Sequence, residues 1–424
     1  MTDSIAIAPC GPIHARIRPP GSKSITNRAL ICAALAEGSS LLHGALDSED
    51  TRVMIEALHA LGIGIVVDRA RETLQVAGCG GQTPVSSADL FVANSGTTIR
   101  FLTAMLAAMT GEYRLDGIER MRQRPIGDLL DALAQLGAKA VSEAGNGCPP
   151  VVLQARGLRG GPVSIRGDIS SQYLSGLLMA APYAAREVEI VVRGELVSQP
   201  YVHMTLGVMR SFGIATPPSD LKRFSIPVGR YRGADYSIEP DASAASYFWG
   251  AAAITGGTVK VEGLTRDALQ GDVAFVDCLQ QMGCQVSYES DGITVVGSHS
   301  LCGIDVNMNA ISDTVQTLGA VALFAEGPTT ITDVGHIRHK ETDRIGDLAR
   351  ELRKLGATVD ESADGLRITP GLLRAASVDT YNDHRMAMSL ALAGLRIPGV
   401  IINNPKCTEK TYPRYFEDLQ RVCG

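Results

Sequence analysis

Apolar and polar positions along the chain form a pattern that repeats about every 70 residues. Five segments read as the end of an amphipathic helix followed by a glycine and a β-strand, and their glycines are residues 62, 137, 213, 283 and 356. A glycine just past a helix is typical of the C′ position, where the backbone is left-handed. A strand-like series ends in glycines 44, 117, 194, 263 and 335, with VIINNP near residue 402 as a sixth member. The spacing predicts six α/β units.

A third series consists of segments in which apolar residues occupy most positions. The segments are RALICAALAEG, FLTAMLAAMTG, LSGLLMAAPYAA, ASYFWGAAAITGG, LGAVALFAEG and MAMSLALAG. Such segments predict helices that are buried nearly all round, and their Ala and Gly residues permit close packing. We therefore predict an α/β fold of six units with a stacked or symmetric architecture. Six units divide naturally into two lobes of three, with Pro19-Pro20 and residues 238–241 as candidate crossings.

Composition and charge exclude several classes of protein. A length of 424 residues suggests two to four domains, and the net charge of −6 argues against nonspecific nucleic-acid binding. No segment approaches the roughly 18 apolar residues of a membrane helix. The first residues, MTDSIAIAPC, lack the pattern of a signal peptide. The nine cysteines are scattered and never spaced C-x-x-C, so we expect reduced thiols in a cytoplasm.

A short polar stretch precedes each predicted buried helix. Equivalent positions in the six stretches are Ser24, Ser95, Ser170, Asp241, Asp313 and Asp383. Ser and Asp are favoured helix N-caps, and capping alone could account for all six. Capping does not account for the cations beside these positions, which are Lys23, Arg28, Arg100 and Arg385. Cations next to helix N-termini favour anion binding, so a cleft at which several such helices point would bind anions.

The first stretch, GSKS at residues 21–24, is not a phosphate-binding P-loop. That motif requires G-x-x-x-x-G-K-[ST], whereas Ser22 separates Gly21 from Lys23 and Arg16 occupies the position of the first glycine. We interpret GSKS as one of several anion sites at helix starts.

Three other charged stretches have no evident structural role. MRQRPIGDLL places Arg122 and Arg124 before a helix, and KTYPRYF places Lys410 in a Pro-containing loop. HIRHKETDRIGDL has Lys340 and Arg344 four residues apart, so a helix would carry them on one face. A solvated turn with mutual salt bridges is the alternative for this stretch.

Two carboxylates in these stretches suggest acid–base chemistry. Glu341 and Asp313 would face a cationic cleft, where a carboxylate can exchange a proton with a hydroxyl or a carbon atom. No metal site is predicted, because H-E-x-x-H is absent and His336 and His339 have no convincing third ligand.

Seven motifs in order resemble the 5-enolpyruvylshikimate-3-phosphate synthase family. They are GSKSITNRAL, NSGTTIRFL, RPIGDLLDAL, DISSQYLSGLL, HKETDRIGDL, YNDHRMAMSLALA and KTYPRYFEDL, from about residue 18 to 419. The resemblance implies a two-lobe fold with three βαβαββ units per lobe, whose buried helices point their N-termini at an interdomain cleft. The first lobe would be residues 21–238, and the second residues 1–20 plus 239–424.

The resemblance also implies a reaction and its site residues. The enolpyruvyl group of phosphoenolpyruvate would pass to the 5-hydroxyl of shikimate 3-phosphate, with Asp313 as proton acceptor, Glu341 as proton donor and Lys23 as a third catalytic residue. Shikimate 3-phosphate would contact Lys23, Ser24, Arg28, Ser170, Ser171, Gln172, Ser198, Tyr201, Asp313 and Lys340. Phosphoenolpyruvate would contact Lys23, Asn94, Gly96, Arg124, Gln172, Arg344, Arg385 and Lys410. No metal, cofactor, nucleic acid or membrane is expected to take part, and a cytoplasmic monomer is expected.

Two positions depart from the family pattern. His336 stands where many members have Asn, so that substrate contact is not carried over. Phe101 stands where glyphosate-sensitive members commonly have Pro, although Gly96 and Thr97 favour sensitivity.

The sequence leaves two alternative functions open. The UDP-N-acetylglucosamine 1-carboxyvinyltransferase family shares the chemistry but carries a mobile-loop cysteine, which the comparable stretch GEYRLDGIERMRQRP lacks. An inert repeat protein that binds anionic metabolites would use Asp313 and Glu341 only as caps or salt-bridge partners.

Overall fold

The computed structural model describes residues 3–216 and 220–424 and divides the chain into two compact units. The discontinuous unit comprises Met1–Pro20 and Glu239–Gly424, and the continuous unit comprises Gly21–Ile238. Residues 1–2 of the segment expected to return to the second lobe lie outside the described residues. Within the described ranges, no helix is long and apolar enough to cross a membrane.

Helices and strands alternate along both units. The α-helices of the described residues are α1 (Lys23–Leu35), α2 (Glu49–Ala60), α3 (Gly96–Ala107), α4 (Gly127–Gln135), α5 (Ser171–Ala180), α6 (Gln199–Ser211), α7 (Ala242–Thr255), α8 (Phe275–Gln281), α9 (Val315–Ala322), α10 (Gly346–Lys354), α11 (His384–Gly394) and α12 (Tyr415–Cys423). The strands are β1 (Ser4–Ala6), β2 (His14–Ile17), β3 (Ser39–His43), β4 (Ile65–Asp68), β5 (Thr73–Ala77), β6 (Ser87–Phe91), β7 (Thr110–Asp116), β8 (Lys139–Ser142), β9 (Val151–Arg156), β10 (Gly161–Arg166), β11 (Val188–Arg193), β12 (Arg223–Ile226), β13 (Asp235–Ser237), β14 (Thr258–Glu262), β15 (Gln285–Tyr288), β16 (Gly292–Val296), β17 (Leu301–Cys302), β18 (Asp305–Asn307), β19 (Ala325–Glu326), β20 (Thr329–Thr332), β21 (Thr358–Glu361), β22 (Leu366–Thr369), β23 (Ser377–Val378) and β24 (Ile401–Asn403).

Four sheets share one strand order. Their orders are β13-β3-β5-β4, β6-β7-β9-β8, β2-β14-β16-β15 and β18-β20-β22-β21. In β6-β7-β9-β8, the first pair is parallel and the other two pairs are antiparallel. Because α3 joins β6 to β7 and α4 joins β7 to β8, this sheet and its helices form a complete βαβαββ unit. The predicted repeat is confirmed.

Two further sheets are shorter variants of the same unit. Strands β10 and β11 are parallel and β11 and β12 antiparallel, while β23 and β24 are parallel and β24 pairs antiparallel with β1. The prediction of a strand directly after Gly213 is wrong, because residues 214–216 are irregular and the next strand of the described residues begins at Arg223.

The six predicted buried helices are α1, α3, α5, α7, α9 and α11, and the prediction is confirmed. Every residue of α7 is buried, including Trp249, the single tryptophan of the chain. Small residues permit this packing: a Cβ added at Gly176 of α5 would lie 3.0 Å from the carbonyl oxygen of Arg100 in α3. The glycines predicted to follow helices at residues 62, 137, 213, 283 and 356 all have a left-handed backbone, with φ from 82° to 107°.

Four of the six predicted caps are confirmed. Ser95, Ser170, Asp241 and Asp383 each accept a hydrogen bond from a backbone N–H in the first turn of a buried helix. Ser22 caps α1, so Ser24 lies inside the helix rather than at its cap. Asp313 also differs, because it lies within a 3₁₀ helix, Asn309–Thr314, that precedes α9. Its side chain is therefore available for other contacts.

Candidate functional site

A carboxylate–arginine cluster in the discontinuous unit brings together several predicted site residues. We define it as Asp313, Glu341, Arg344, Asp383 and Arg385. Arg344 donates from Nη1 to Asp313 at 3.1 Å, from Nη2 to Glu341 at 2.9 Å and from Nε to Asp383 at 2.7 Å. Arg385 donates from Nη2 to the other oxygen of Asp313 at 2.6 Å. The cluster joins the start of α11, the loop before α10 and the 3₁₀ helix before α9.

The carboxylate–arginine cluster is withdrawn from water, so its charges interact strongly. The side chain of Arg344 is 2% exposed and that of Asp383 is 0% exposed. Burial lowers the pKa of Arg344, but Asp383, Glu341 and Asp313 together raise it by more, so the net pKa is raised. Arg344 is therefore a permanent cation held among three carboxylates.

A buried carboxylate that the sequence did not single out lies close to this cluster. Asp272 is 3% exposed and accepts a hydrogen bond from the Ser243 hydroxyl. Burial, and then the charge of Asp313, raise the pKa of Asp272 to about 6. In sequence, Asp272 is an isolated acidic residue before α8 and matches no motif that would indicate this burial.

Two lysines of the predicted set lie at the ends of 3₁₀ helices in the discontinuous unit. Lys340 follows the 3₁₀ helix Gly335–His339, and Lys410 ends the 3₁₀ helix Pro405–Lys410 with 5% exposure. The prediction that a helix carries Lys340 and Arg344 on one face is wrong, because α10 begins only at Gly346.

His336 is a buried neutral imidazole beside the carboxylate–arginine cluster. It is 8% exposed, and its Nε2 atom lies 3.0 Å from the Ser312 hydroxyl. Burial, and then the charge of Lys340, lower the pKa of His336 to about 3. The folded chain thus keeps His336 uncharged at a pH where an unfolded chain protonates it.

We expect this histidine to make stability fall as the pH falls below about 6.5, the pKa of an unfolded histidine. Only the unfolded state then binds the proton, so the loss is about 1.4 kcal/mol per pH unit, and about 2 kcal/mol between pH 6.5 and pH 5. Urea unfolding across this pH range would measure the slope. The His336→Asn variant should lose that part of the slope, and equal slopes in both proteins would contradict the prediction.

A second cluster, in the continuous unit, contains four of the residues expected to contact phosphoenolpyruvate, together with Arg100. Arg124 is 2% exposed and donates from Nη1 to the backbone carbonyl and side-chain oxygen of Asn94, at 2.9 and 3.1 Å. Arg100 donates to Gln172 Oε1 at 2.6 Å. Gly96 provides the space between them, since an added Cβ would lie 2.5 Å from Arg124 Nη2 and 2.8 Å from Arg100 Nη1. We call these five residues the Arg124 cluster.

Arg28 organises a third group at the start of α1. It is 1% exposed and donates to the Thr205 hydroxyl at 2.7 Å and to the Ser24 and Tyr201 carbonyl oxygens at 2.9 and 3.2 Å. Its guanidinium carbon lies 5.1 Å from the Phe101 ring centroid, so the unusual Phe101 packs against this cation. Burial lowers the pKa of Arg28 to about 10.

Other predicted contacts occupy helix starts in the same unit. Lys23 is the first residue of α1, and its Nζ lies 3.5 Å from Asp50 Oδ2. Ser171 is the first residue of α5, and Ser198 precedes α6 with a left-handed φ of 53°. The backbone N–H groups of a helix's first turn are suited to anions.

Some residues of the charged stretches belong to the clusters, and others form ion pairs outside them. Arg122 donates to Asp116 at 3.0 and 2.7 Å and is half exposed, so it forms a surface ion pair. Arg338 likewise pairs with Asp343, whose side chain also accepts from the first N–H groups of α10. The solvated-turn alternative is therefore correct for Arg338 and Asp343 but wrong for Glu341 and Arg344.

Comparisons with known proteins identify relatives over the whole chain. The family model of EPSP synthase (3-phosphoshikimate 1-carboxyvinyltransferase) matches residues 7–419. A 3-phosphoshikimate 1-carboxyvinyltransferase of Trichormus variabilis is 48% identical over 100% of both chains. The chloroplastic enzyme of Arabidopsis thaliana is 46% identical over 99% of this chain and 84% of its own. A solved EPSP synthase structure from Acinetobacter baumannii has a TM-score of 0.83 and 26% identity, and covers 99% of this chain and 97% of its own.

Proposed function

We infer the roles of the site residues from the premise that this chain belongs to the EPSP synthase (3-phosphoshikimate 1-carboxyvinyltransferase) family. The enzyme transfers the enolpyruvyl group of phosphoenolpyruvate to the 5-hydroxyl of shikimate 3-phosphate and releases phosphate. This step belongs to the shikimate pathway, which leads to chorismate and the aromatic amino acids. The residue assignments below are proposals.

We assign phosphoenolpyruvate to the arginines of the two clusters. Its phosphate and carboxylate are both anions, and a guanidinium can bind either with a bidentate fork. Arg344, Arg385 and Lys410 would supply the cations from the discontinuous unit. In the Arg124 cluster, Asn94, Gly96, Arg124 and Gln172 would make the remaining contacts with phosphoenolpyruvate. Arg100 would orient the Gln172 amide that it contacts at 2.6 Å.

We assign shikimate 3-phosphate to the helix starts of the continuous unit. Its phosphate and carboxylate would lie near Ser24, Arg28, Ser170 and Ser171, and its ring near Gln172, Ser198 and Tyr201. Lys340 and Asp313 would complete its contacts, and Lys23 would reach both substrates. Arg28 supports this assignment, because it contacts both the Ser24 and Tyr201 carbonyls.

Acid–base catalysis is assigned to Asp313 and Glu341. Asp313 would accept the proton of the attacking 5-hydroxyl, and Glu341 would protonate the methylene carbon of phosphoenolpyruvate. Addition of the 5-hydroxyl and of this proton across the double bond forms a tetrahedral intermediate with a methyl group, and loss of phosphate together with one methyl proton restores the double bond and completes the transfer. Lys23 would stabilise negative charge on the departing phosphate.

The observation that best supports these roles is that both carboxylates share Arg344, at 3.1 and 2.9 Å. Phosphoenolpyruvate would compete with Asp313 and Glu341 for the guanidinium groups of Arg344 and Arg385. Withdrawing a cation from a buried carboxylate increases its proton affinity. Substrate binding would thereby prepare Asp313 to accept a proton and Glu341 to hold one.

Phosphate release from phosphoenolpyruvate tests the choice of acceptor. We expect release with shikimate 3-phosphate and none above background with UDP-N-acetylglucosamine. Release only with the sugar nucleotide would contradict the acceptor assignment while retaining the chemistry. A folded protein that is silent with both acceptors would favour the inert metabolite-binding alternative.

We also propose that the chain acts as a cytoplasmic monomer. All nine cysteines have free thiols, which is typical of a reducing compartment. Light scattering of the purified chain would test the oligomeric state.

A further inference from the structure

Two residues with a left-handed backbone directly precede Asp383, a member of the carboxylate–arginine cluster. Tyr381 and Asn382 have φ values of 53° and 55°, which residues other than glycine rarely adopt. The next residue is Asp383, which accepts a hydrogen bond from Arg344 and also caps α11. Because such a conformation persists only where its surroundings fix it, the position of Asp383 depends on what holds Tyr381.

Helix α10 holds this loop through a buried carboxylate. Glu351 is 0% exposed and accepts hydrogen bonds from the Tyr381 hydroxyl at 2.5 Å and from the backbone N–H of Asp379 at 3.0 Å. Lys354 Nζ lies 2.9 Å from the same carboxylate and balances its charge. Glu351 thus fixes the loop on both sides of residue 380.

The same helix reaches the loop that carries Glu341. Arg350 donates to the Tyr381 hydroxyl at 3.2 Å and to Asp347 at 2.7 Å, and its guanidinium carbon lies 5.5 Å from the Tyr381 ring centroid. Asp347 in turn accepts a hydrogen bond from the hydroxyl of Thr342, the residue after Glu341.

These contacts close a circuit around the carboxylate–arginine cluster. One path runs from Glu341 through Arg344 to Asp383, by hydrogen bonds of 2.9 and 2.7 Å. The other path runs from Thr342 through α10 to Tyr381. The Tyr381 hydroxyl is the junction, because it contacts both Glu351 and Arg350.

We propose that Tyr381 is a positioning residue for phosphoenolpyruvate binding, acting through Asp383 on the Arg344 guanidinium. The inference rests on the proposed function, which assigns Arg344 and Arg385 to phosphoenolpyruvate. Loss of the hydroxyl removes the hydrogen bonds of Tyr381 to α10, although Asp379 still donates to Glu351; Asp383 can then shift, which leaves Arg344 less well oriented. Shikimate 3-phosphate is assigned mostly to the continuous unit, so its binding should change little.

The Tyr381→Phe variant tests this directly, because it removes the hydroxyl and keeps the ring beneath Arg350. We expect KM for phosphoenolpyruvate to rise about three- to tenfold, the effect of losing one typical hydrogen bond, because the hydroxyl acts on phosphoenolpyruvate only through Asp383 and Arg344. KM for shikimate 3-phosphate should stay within about twofold. The matched control is Tyr288→Phe, because the Tyr288 hydroxyl also donates to a carboxylate, Asp277 at 2.8 Å, and its ring also lies 5.1 Å from an arginine, Arg266.

A second pair of variants probes the opposite end of the circuit. Thr342→Val removes the hydroxyl that donates a hydrogen bond to Asp347 and should raise KM for phosphoenolpyruvate selectively. Thr342→Ser keeps the hydroxyl, so its KM for phosphoenolpyruvate should equal that of the parent enzyme. A Tyr381→Phe enzyme with a lower unfolding midpoint but unchanged KM values would overturn the proposal, because the circuit would then serve stability alone. So would equal increases in both KM values.

The Arg385→Lys variant separates this inference from the proposed function. An increase in KM for phosphoenolpyruvate in Arg385→Lys, without one in Tyr381→Phe, would reject the positioning role of Tyr381 only. No increase in either variant would reject the assignment of phosphoenolpyruvate to these arginines.

Discussion

Replacing Glu341 with glutamine is expected to lower kcat by about 10²- to 10⁴-fold, the usual contribution of a general acid–base group. The amide has the same shape and retains an oxygen for Arg344, which donates to Glu341 at 2.9 Å, so the cluster should keep its geometry. It cannot donate or accept the proton that the methylene carbon exchanges. We expect KM values within about tenfold of the parent enzyme, because the change affects mainly the transition state. Steady-state phosphate release measures both constants.

The matched control is Glu361→Gln, in which a different carboxylate loses its charge. Arg338 donates to Glu361 at 2.9 Å, and the Glu361 side chain, in the same unit, is 32% exposed. Its kcat should stay within about twofold, since surface pairs contribute little. A Glu341→Gln enzyme that keeps more than a tenth of the parent kcat would remove Glu341 from its catalytic role.

Asp313→Asn distinguishes catalysis from simple ligand binding in the same assay. The inert-protein alternative predicts that Asp313 and Glu341 are interchangeable with neutral isosteres. Both carboxylates pair with Arg344, a contact that is compatible with a binding protein as well as with an enzyme, so turnover in the two variants decides between these alternatives. Loss of turnover in both variants, with shikimate 3-phosphate still bound, would agree with the enzyme.

Local features of the fold were predictable from the sequence because their physical causes lie within a few residues. The glycine after α2, Gly62, occupies a left-handed position with φ of 82°, as the helix–glycine–strand pattern indicates. The burial of α7 follows from an almost unbroken run of small and apolar residues between Ala242 and Thr255. The prediction of a strand after Gly213 was wrong because residues 214–216, which follow the glycine, pair with no described strand.

The chemistry of the site was less predictable because its contacts join distant parts of the chain. Asp313 resembles a helix cap in sequence, yet its partners Arg344 and Arg385 are 31 and 72 residues away. Asp383 is both a local cap and a partner of Arg344, 39 residues away, so only its capping role was visible. The resemblance to a family supplied roles for Asp313 and Glu341 that spacing alone does not.

Removing the guanidinium of Arg344 is expected to have the largest effect on stability. Arg344→Met keeps most of the aliphatic length but leaves Asp313, Glu341 and Asp383 without their shared cation, in a site where the Asp383 side chain is 0% exposed. Breaking a buried ion pair on one side costs about 3–5 kcal/mol. Trp249, the single tryptophan, lies in α7 of the same unit, so its fluorescence reports the urea unfolding of that unit. We expect the midpoint to fall by about 1–2 M urea.

An exposed arginine of the same unit provides the comparison that identifies the cause of this loss as uncompensated charge in a buried site. The control is Arg414→Met, where an arginine side chain that is 72% exposed pairs with Glu417 at 3.3 Å. That variant should lose less than about 0.5 kcal/mol at any pH, because exposed pairs are screened by water. If Arg344→Met instead unfolds at the parent urea concentration, the three carboxylates do not depend on Arg344 for their charge balance, and the electrostatic basis proposed for Asp313 and Glu341 fails with it.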